Sequence, residues 1–262
     1  MSEYTDFYLS WSGCAAFGAA GSSQLTIPTP VVFSPTDLSG CQIWFDANNS
    51  GSITTDVDNT SILTWQNLGD LSANMIPYNG TGSYNVDTIN GLNVVRFGAS
   101  NNMYVYGELP NEHKTAFVVF KGLNDLSGAS FPFLNLFNAE ASNGFQFGAS
   151  YYEALGGYIY TACQNGIWCN YGTGPNSYNT TTMAACRVDV DISNNFISVN
   201  KANLPGDNVN SASGFNQFPI PYVVGRNDGS SMDCAEIIVY TRALSDSEVA
   251  QVYTYLTTRW GI

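Results

Sequence analysis

Residues Ala235–Ile262 read AEIIVYTRALSDSEVAQVYTYLTTRWGI. Ala235–Tyr240 is a short apolar run rich in β-branched residues, the composition of a buried strand. Thr241 and Arg242 turn the chain. Ser245 then stands as a helix N-cap, with Glu248 three residues on, where a capping box needs it. Leu244 and Val249 occupy the two positions of a hydrophobic staple. Val249, Val252, Tyr253, Leu256 and Trp260 recur at helical spacing and form one apolar face. Gly261 is placed to end the helix. The spacing predicts a buried strand followed by an amphipathic helix.

Upstream, short strand signals alternate with turn signals. Strands are expected at Gln42–Asp46, Asn93–Phe97, Ala116–Lys121, Gly144–Phe147, Tyr158–Ala162, Cys186–Ile192, Phe196–Val199 and Tyr222–Arg226. The run Asp191 to Phe196 reads as a hairpin with an Asn-Asn turn. Residues 1–37 differ in character. Phe7, Tyr8, Leu9 and Trp11 make an aromatic start, and prolines at 28, 30 and 35 favour an extended chain. This segment is expected to be an N-terminal arm, with one β-sandwich over residues 38–262.

The ending resembles the close of laminin-G-like jelly-roll domains of the concanavalin A-like lectin/glucanase superfamily. The residues that carry the resemblance are Glu236, Tyr240, Arg242, Leu244, Glu248, Tyr255, Leu256, Trp260 and Gly261. Ile43 to Ala47, Thr64 to Asn67 and Asn90 to Phe97 match the opening of such domains. The resemblance implies an all-β fold: a concanavalin A-like jelly-roll β-sandwich of two antiparallel sheets with a short C-terminal helix. It leaves function open, because this fold hosts lectins, glycosidases, adhesins and structural modules.

The chain has 262 residues, which suits one large all-β domain. Only 11% of them are charged, the net charge is −13 and the pI is about 4.1. Polarity comes instead from 28 Asn and from Ser, Thr, Gly and Tyr. With eight unclustered Lys and Arg, phosphate backbones and anionic membranes are disfavoured partners. The acidic start, Ser2 to Asp6, does not read as a secretory signal. Six Cys are present, without a C-x-x-C, so reduced, buried thiols are expected and a structural zinc is not. Asn165-Gly166 predicts a two-residue hairpin in which Cys163 faces Trp168 and Cys169 faces Ala162. Asn-x-Ser/Thr acceptors stand at Asn48, Asn59, Asn79 and Asn179.

Catalytic patterns are missing. The E-x-D-x-x-E strand motif of laminarinase-like enzymes is absent, and counting by twos places no second carboxylate on the strand face of Glu236. Asp189 and Asp191 share a face, but Val188, Val190 and Ile192 mark the other as the core side, so both aspartates are expected in solvent. His113, the one histidine, is expected in a solvated polar turn. Calcium is the one cofactor the loops could hold. Asp46, Asp56 and Asp58 flank one Asx-rich loop and Asp228 and Asp233 bracket another, supplying hard oxygen ligands. Tyr104, Tyr106, Tyr151, Tyr152, Trp168, Tyr171 and Tyr178 lie near predicted loops or strand ends and could stack on sugar rings. Several could equally be core or subunit contacts.

Three readings follow. The first is a non-enzymatic virion surface protein, assembled in the host cytoplasm. The arm (Phe7, Tyr8, Leu9, Trp11) docks it on neighbouring subunits in a homo-oligomer, and the sandwich faces outward toward host glycans. The alternative is a free, extracellular carbohydrate-binding lectin, calcium-dependent or not; a glycosidase or polysaccharide lyase ranks third.

Overall fold

The computed structural model describes residues 33–98, 101–107, 109, 113–123, 133–139, 145–152, 157–164, 167–189, 191–204, 220–225 and 231–262. Within these, the side chains of 133–135, 138–139, 151–152, 157, 163–172, 192 and 220–221 are left out of the account. The arm residues Phe7, Tyr8, Leu9 and Trp11 lie outside the described residues.

Among the described residues, seventeen strands and one α-helix follow in order, with short 3₁₀ turns between them. The strands are β1 (Cys41–Asp46), β2 (Ile53–Thr55), β3 (Ile62–Trp65), β4 (Met75–Asn79), β5 (Ser83–Ile89), β6 (Leu92–Phe97), β7 (Asn102–Gly107), β8 (Lys114–Gly122), β9 (Phe133–Ala139), β10 (Phe145–Tyr152), β11 (Gly157–Gln164), β12 (Ile167–Gly174), β13 (Thr181–Val188), β14 (Phe196–Val199), β15 (Ala202–Asn203), β16 (Ile220–Val224) and β17 (Met232–Tyr240). The helix is α1 (Asp246–Trp260). Two antiparallel sheets result. Sheet A runs β15-β14-β13-β8-β17-β6-β5, with β1 also paired to β17, and sheet B runs β12-β11-β10-β9-β16-β7-β4-β3-β2. The protein is an all-β sandwich of two antiparallel sheets with a C-terminal helix.

Alternation along each strand sorts side chains into layers. Ile43, Phe45, Val118, Phe120, Ile237 and Val239 from sheet A meet Trp65, Met75, Val105, Phe147, Tyr160 and Val224 from sheet B in the central core. The opposite face of sheet A carries Val94, Phe117, Val119, Ile238 and Tyr240, which pack against Val249, Val252, Leu256 and Trp260 of α1. The layers are therefore helix, sheet A, sheet B. All nine residues of β17 are buried, because this strand has sheet neighbours on both edges and apolar layers on both faces.

The C-terminal segment folds as its sequence dictates. Ser245 Oγ accepts from the Glu248 amide at 3.4 Å, and the Ser245 amide donates to Glu248 Oε2 at 2.8 Å, completing the capping box. Leu244 and Val249 are both buried, as a staple requires. Gly261 sits at φ +71°, the left-handed cap only glycine adopts cheaply. The Thr64–Asn67 match also acquires a reason. Buried Asn67 accepts from the Trp44 amide at 2.7 Å and donates to the carbonyls of Gln42 and Leu71 at 2.8 Å each, tying the chain after β3 to β1.

Several local expectations are corrected. Strand β13 ends at Val188, short of the expected Ile192, and Val190 lies outside the described residues. Asp189 is buried beneath His113 and Asn194, whereas Asp191 is exposed and accepts from the Ser193 amide over the 3₁₀ turn Ile192–Asn194. In the β11–β12 hairpin, Cys163 faces Trp168 as expected. However, a register shift follows and Asn170, not Cys169, faces Ala162. Phe33 and Pro35, counted with the arm, contact the sandwich: Phe33 meets the Tyr255 ring edge-on at 5.8 Å, and Tyr240 Oη donates to the Pro35 carbonyl at 3.0 Å. Cys41, Cys186 and Cys234 are buried; burial pushes the Cys41 thiol up to about 12, so it stays protonated.

Candidate binding face and the charged clusters opposite it

Sheet B exposes an apolar, aromatic set at its β3–β4–β7 end. Ile76 of β4 pairs with Tyr104 of β7. Pro77 pairs with Met103, and the pairing after it, Asn79 with Asn102, skips a residue, leaving Tyr78 as a bulge between Pro77 and Asn79. Its ring meets Tyr104 edge-to-face at 5.2 Å, a favourable quadrupole geometry. Tyr106 lies two residues on, out of phase with the core residues Met103 and Val105, and is 55% exposed. Leu63 and Tyr78 are each 51% exposed, and Ile76 is exposed beside them. The underside of these strands is anchored by Trp65, Met75, Met103 and Val105, all fully buried, so the tyrosines stand on a rigid floor.

Of the aromatic candidates, Tyr104 and Tyr106 therefore share one face. Tyr78, Ile76 and Leu63 complete it and were missed, because MIPYN carries no alternation of apolar and polar residues and Tyr78 sits at a bulge. Tyr178 is exposed elsewhere, beside Gly122 at the end of β8. Tyr151 and Tyr152 fall in β10 opposite Tyr158 and Gly157, and Trp168 and Tyr171 fall in β12; their side chains lie outside the described ones.

Charged residues gather instead on sheet A and α1. Glu236 is 1% exposed and accepts from three donors: Trp44 Nε1 at 2.8 Å, Tyr255 Oη at 2.9 Å and Trp260 Nε1 at 2.7 Å. Directly across the strand pair lies Asp46, whose Oδ2 accepts from Arg259 Nη2 at 2.5 Å. Burial, with Asp46 opposite, pushes the Glu236 carboxyl up to about 7 against the pull of its donors. A register shift between Cys234 and Glu236 produces this arrangement. The bulge lets Cys234 and Ile237 both face the core, so Ala235 and Glu236 both face the helix. Counting by twos misses this, and with it the fact that Asp233 and Glu236 share the outer side of sheet A.

Asp233, fully buried, takes a bidentate bond from Arg96 at 2.7 and 2.9 Å, with Lys121 Nζ at 3.4 Å. Arg96 and Lys121 also reach Asp87, whose carboxyl is held down at about 2 by the Thr88 amide and then by Lys121. A cleft of about 480 Å³ lies between Arg187, Asp189 and the start of α1. Its cations are occupied: Arg187 Nη1 bonds Asp246 at 2.9 Å, and Arg242 forks onto Glu248 at 2.9 and 2.6 Å. His113, expected in solvent, is half-buried with Nδ1 2.9 Å from Asp189 Oδ1. Burial raises the Asp189 carboxyl, but bonds from the Asp191 amide, Asn194 and His113 outweigh it and hold it low.

The calcium candidates separate. Asp46 and Asp233 are neutralised by arginines rather than left as open oxygen ligands, which removes them from the loop sites proposed for them. Asp56 Oδ1 accepts from the amides of Asp58, Thr60 and Ser61, an Asx-turn role, and Asp58 sits within that turn. Asp228 lies outside the described residues. Among the described residues no three acids, histidines or cysteines gather as a metal cage would need.

No protein-family model matches this chain, and no curated protein matches it in sequence. Solved structures do. The binding domain of botulinum neurotoxin DC in complex with SialylT aligns with a TM-score of 0.59 at 12% identity, over 85% of this chain and 52% of that one. The same domain in complex with rat synaptotagmin II aligns at 0.57 and 12%, over 85% and 52%. The binding domain of Paraclostridial Mosquitocidal Protein 1 aligns at 0.54 and 12%, over 84% and 52%. This chain spans about half the length of each. At such identity the likeness shows a shared β-sandwich fold and nothing finer.

Proposed function

We propose that this chain is a non-enzymatic carbohydrate-binding module on a concanavalin A-like, laminin-G-like jelly roll. The observation that carries the reading is the rigid, exposed set Tyr78, Tyr104 and Tyr106 beside Ile76 and Leu63. Flat rings offer stacking surface at low entropic cost, and Asn79 and Thr64 beside them offer hydrogen bonds to hydroxyls. The names of the structural neighbours, all binding domains and one with SialylT, support the same reading. The test is retention on a glycan array of the wild type and of Tyr104→Ala/Tyr106→Ala. Loss of retention with an unchanged urea midpoint is expected. Retention unchanged in the variant, or turnover of a bound polysaccharide, sinks the proposal.

Placement on a virion, with Phe7, Tyr8, Leu9 and Trp11 docking on neighbouring subunits, rests on the N-terminal sequence alone. Removing residues 1–37 should then abolish incorporation into particles while the sandwich stays folded.

A further inference from the structure

Charge is divided unequally between the two sheets. Not one Asp, Glu, Lys, Arg or His lies in the nine strands of sheet B, although 11% of the chain is charged. Sheet A carries Asp46, Asp87, Arg96, Lys114, Lys121, Arg187, Asp233 and Glu236 in its strands. The described cations are also largely spent. Arg96, Lys121, Arg187, Arg242 and Arg259 each face a carboxylate at 3.1 Å or less, and Lys114 is buried. Lys201 is exposed, but in the β14–β15 turn of sheet A.

We infer that the tyrosine face of sheet B selects an uncharged glycan and discriminates against sialylated or sulfated ones. This rests on the carbohydrate-binding reading. A sugar carboxylate or sulfate laid on Tyr104 and Tyr106 gives up water and meets no cation on the strands beneath it. It also enters the field of a chain with net charge −13. A neutral hexose gives up only hydroxyl hydration, which Asn, Thr and Tyr groups replace. An unpartnered anion costs at least on the order of tenfold in affinity.

The experiment uses the full chain on matched pairs of immobilised oligosaccharides, each neutral glycan beside its sialylated and its sulfated derivative, at about 50 mM and about 500 mM salt. The neutral member should be retained at least about tenfold better, with no change between the two salts, and Tyr106→Ala should abolish retention. Tyr106→Arg should shift preference toward the anionic member. Equal or better retention of the anionic member, or retention that falls with salt, overturns the inference while leaving carbohydrate binding standing. Retention of no glycan at all overturns both. A second copy of the chain covering this face, seen as concentration-dependent dimerisation lost in Tyr106→Ala, also overturns it.

Discussion

Replacing Glu236 with glutamine should remove most of the pH dependence of stability between about pH 4.5 and pH 7. In an unfolded chain this carboxyl titrates near its usual 4.5; in the folded protein, burial and the neighbouring Asp46 push it to about 7. Across that window the folded state holds a proton that the unfolded state has released. A raised folded value contributes stability that is fully present below the unfolded value and is lost as pH rises through the folded one. The two values differ enough to be worth roughly 3 kcal/mol. The titratable groups coupled to Glu236 are Asp46 on β1, Tyr255 and Arg259 on α1, Tyr240 and the thiol of Cys41 on the same side of sheet A, and the thiol of Cys234 through the sheet. Asp87 and Glu248, both held near 2, act in the opposite sense: their contributions are present above their ordinary values and lost as pH falls toward 2. Stability should therefore peak in mildly acidic buffer, close to pH 4.5. Urea titrations followed by tryptophan emission report this directly, because the indoles of Trp44 and Trp260 both donate to Glu236. Glu236→Gln turns one acceptor into a donor facing an N–H, so it should cost about 1–3 kcal/mol in acid. Above about pH 7 the difference should vanish or reverse. A wild type that gains stability from about pH 5 to about pH 7, or a variant that keeps the slope, refutes this reasoning.

Gly225 sits at φ +68°, and a Cβ there would stand 2.3 Å from Cγ of the buried Phe97 ring. Gly225→Ala should cost about 3 kcal/mol from backbone strain and overpacking, seen as a lower urea midpoint with unchanged slope. Arg96→Met leaves Asp233 buried with Lys121 alone at 3.4 Å and should cost about 3 kcal/mol in the same assay. Adding Asp233→Asn should recover part of that loss, and a strictly additive double variant would contradict the coupling.

What could be read in advance follows the range of the interactions. The cap at Ser245 and Glu248, the staple at Leu244 and Val249 and the stop at Gly261 are satisfied within a few residues, so their spacing is sufficient. Strands rich in β-branched residues, such as β8 and β17, stand out for the same reason. β4, β7 and β12 do not: MIPYN, NMYVYG and IWCNYGTG mix Asn, Gly and Pro with aromatics, and their pairing across the sheet decides their state. Site residues failed where phase was lost. The bulge before Glu236 reset the alternation by one, whereas Asp189 kept its side after Val188 and was buried by the 3₁₀ turn and His113 packed over it. Bulges leave no mark in composition, so the shared side of Asp233 and Glu236 is set by the pairing of β17 with β8 and not by local sequence.

The acidic residues bear on catalysis as well as on the fold. Asp46 and Glu236 lie opposite one another, as the two acids of a glycosidase would, but they are 4% and 1% exposed beneath α1. A glycosidase pair must reach both the scissile oxygen and a water or anomeric carbon. Here Arg259, two indoles and a phenol fill that space, and the acids serve to seat the helix on sheet A. Across the sandwich, the strands beneath Tyr104 and Tyr106 hold no group able to donate or accept a proton near neutral pH. The charged strand residues thus lie on sheet A, and the exposed Tyr78 and Tyr106 lie on sheet B.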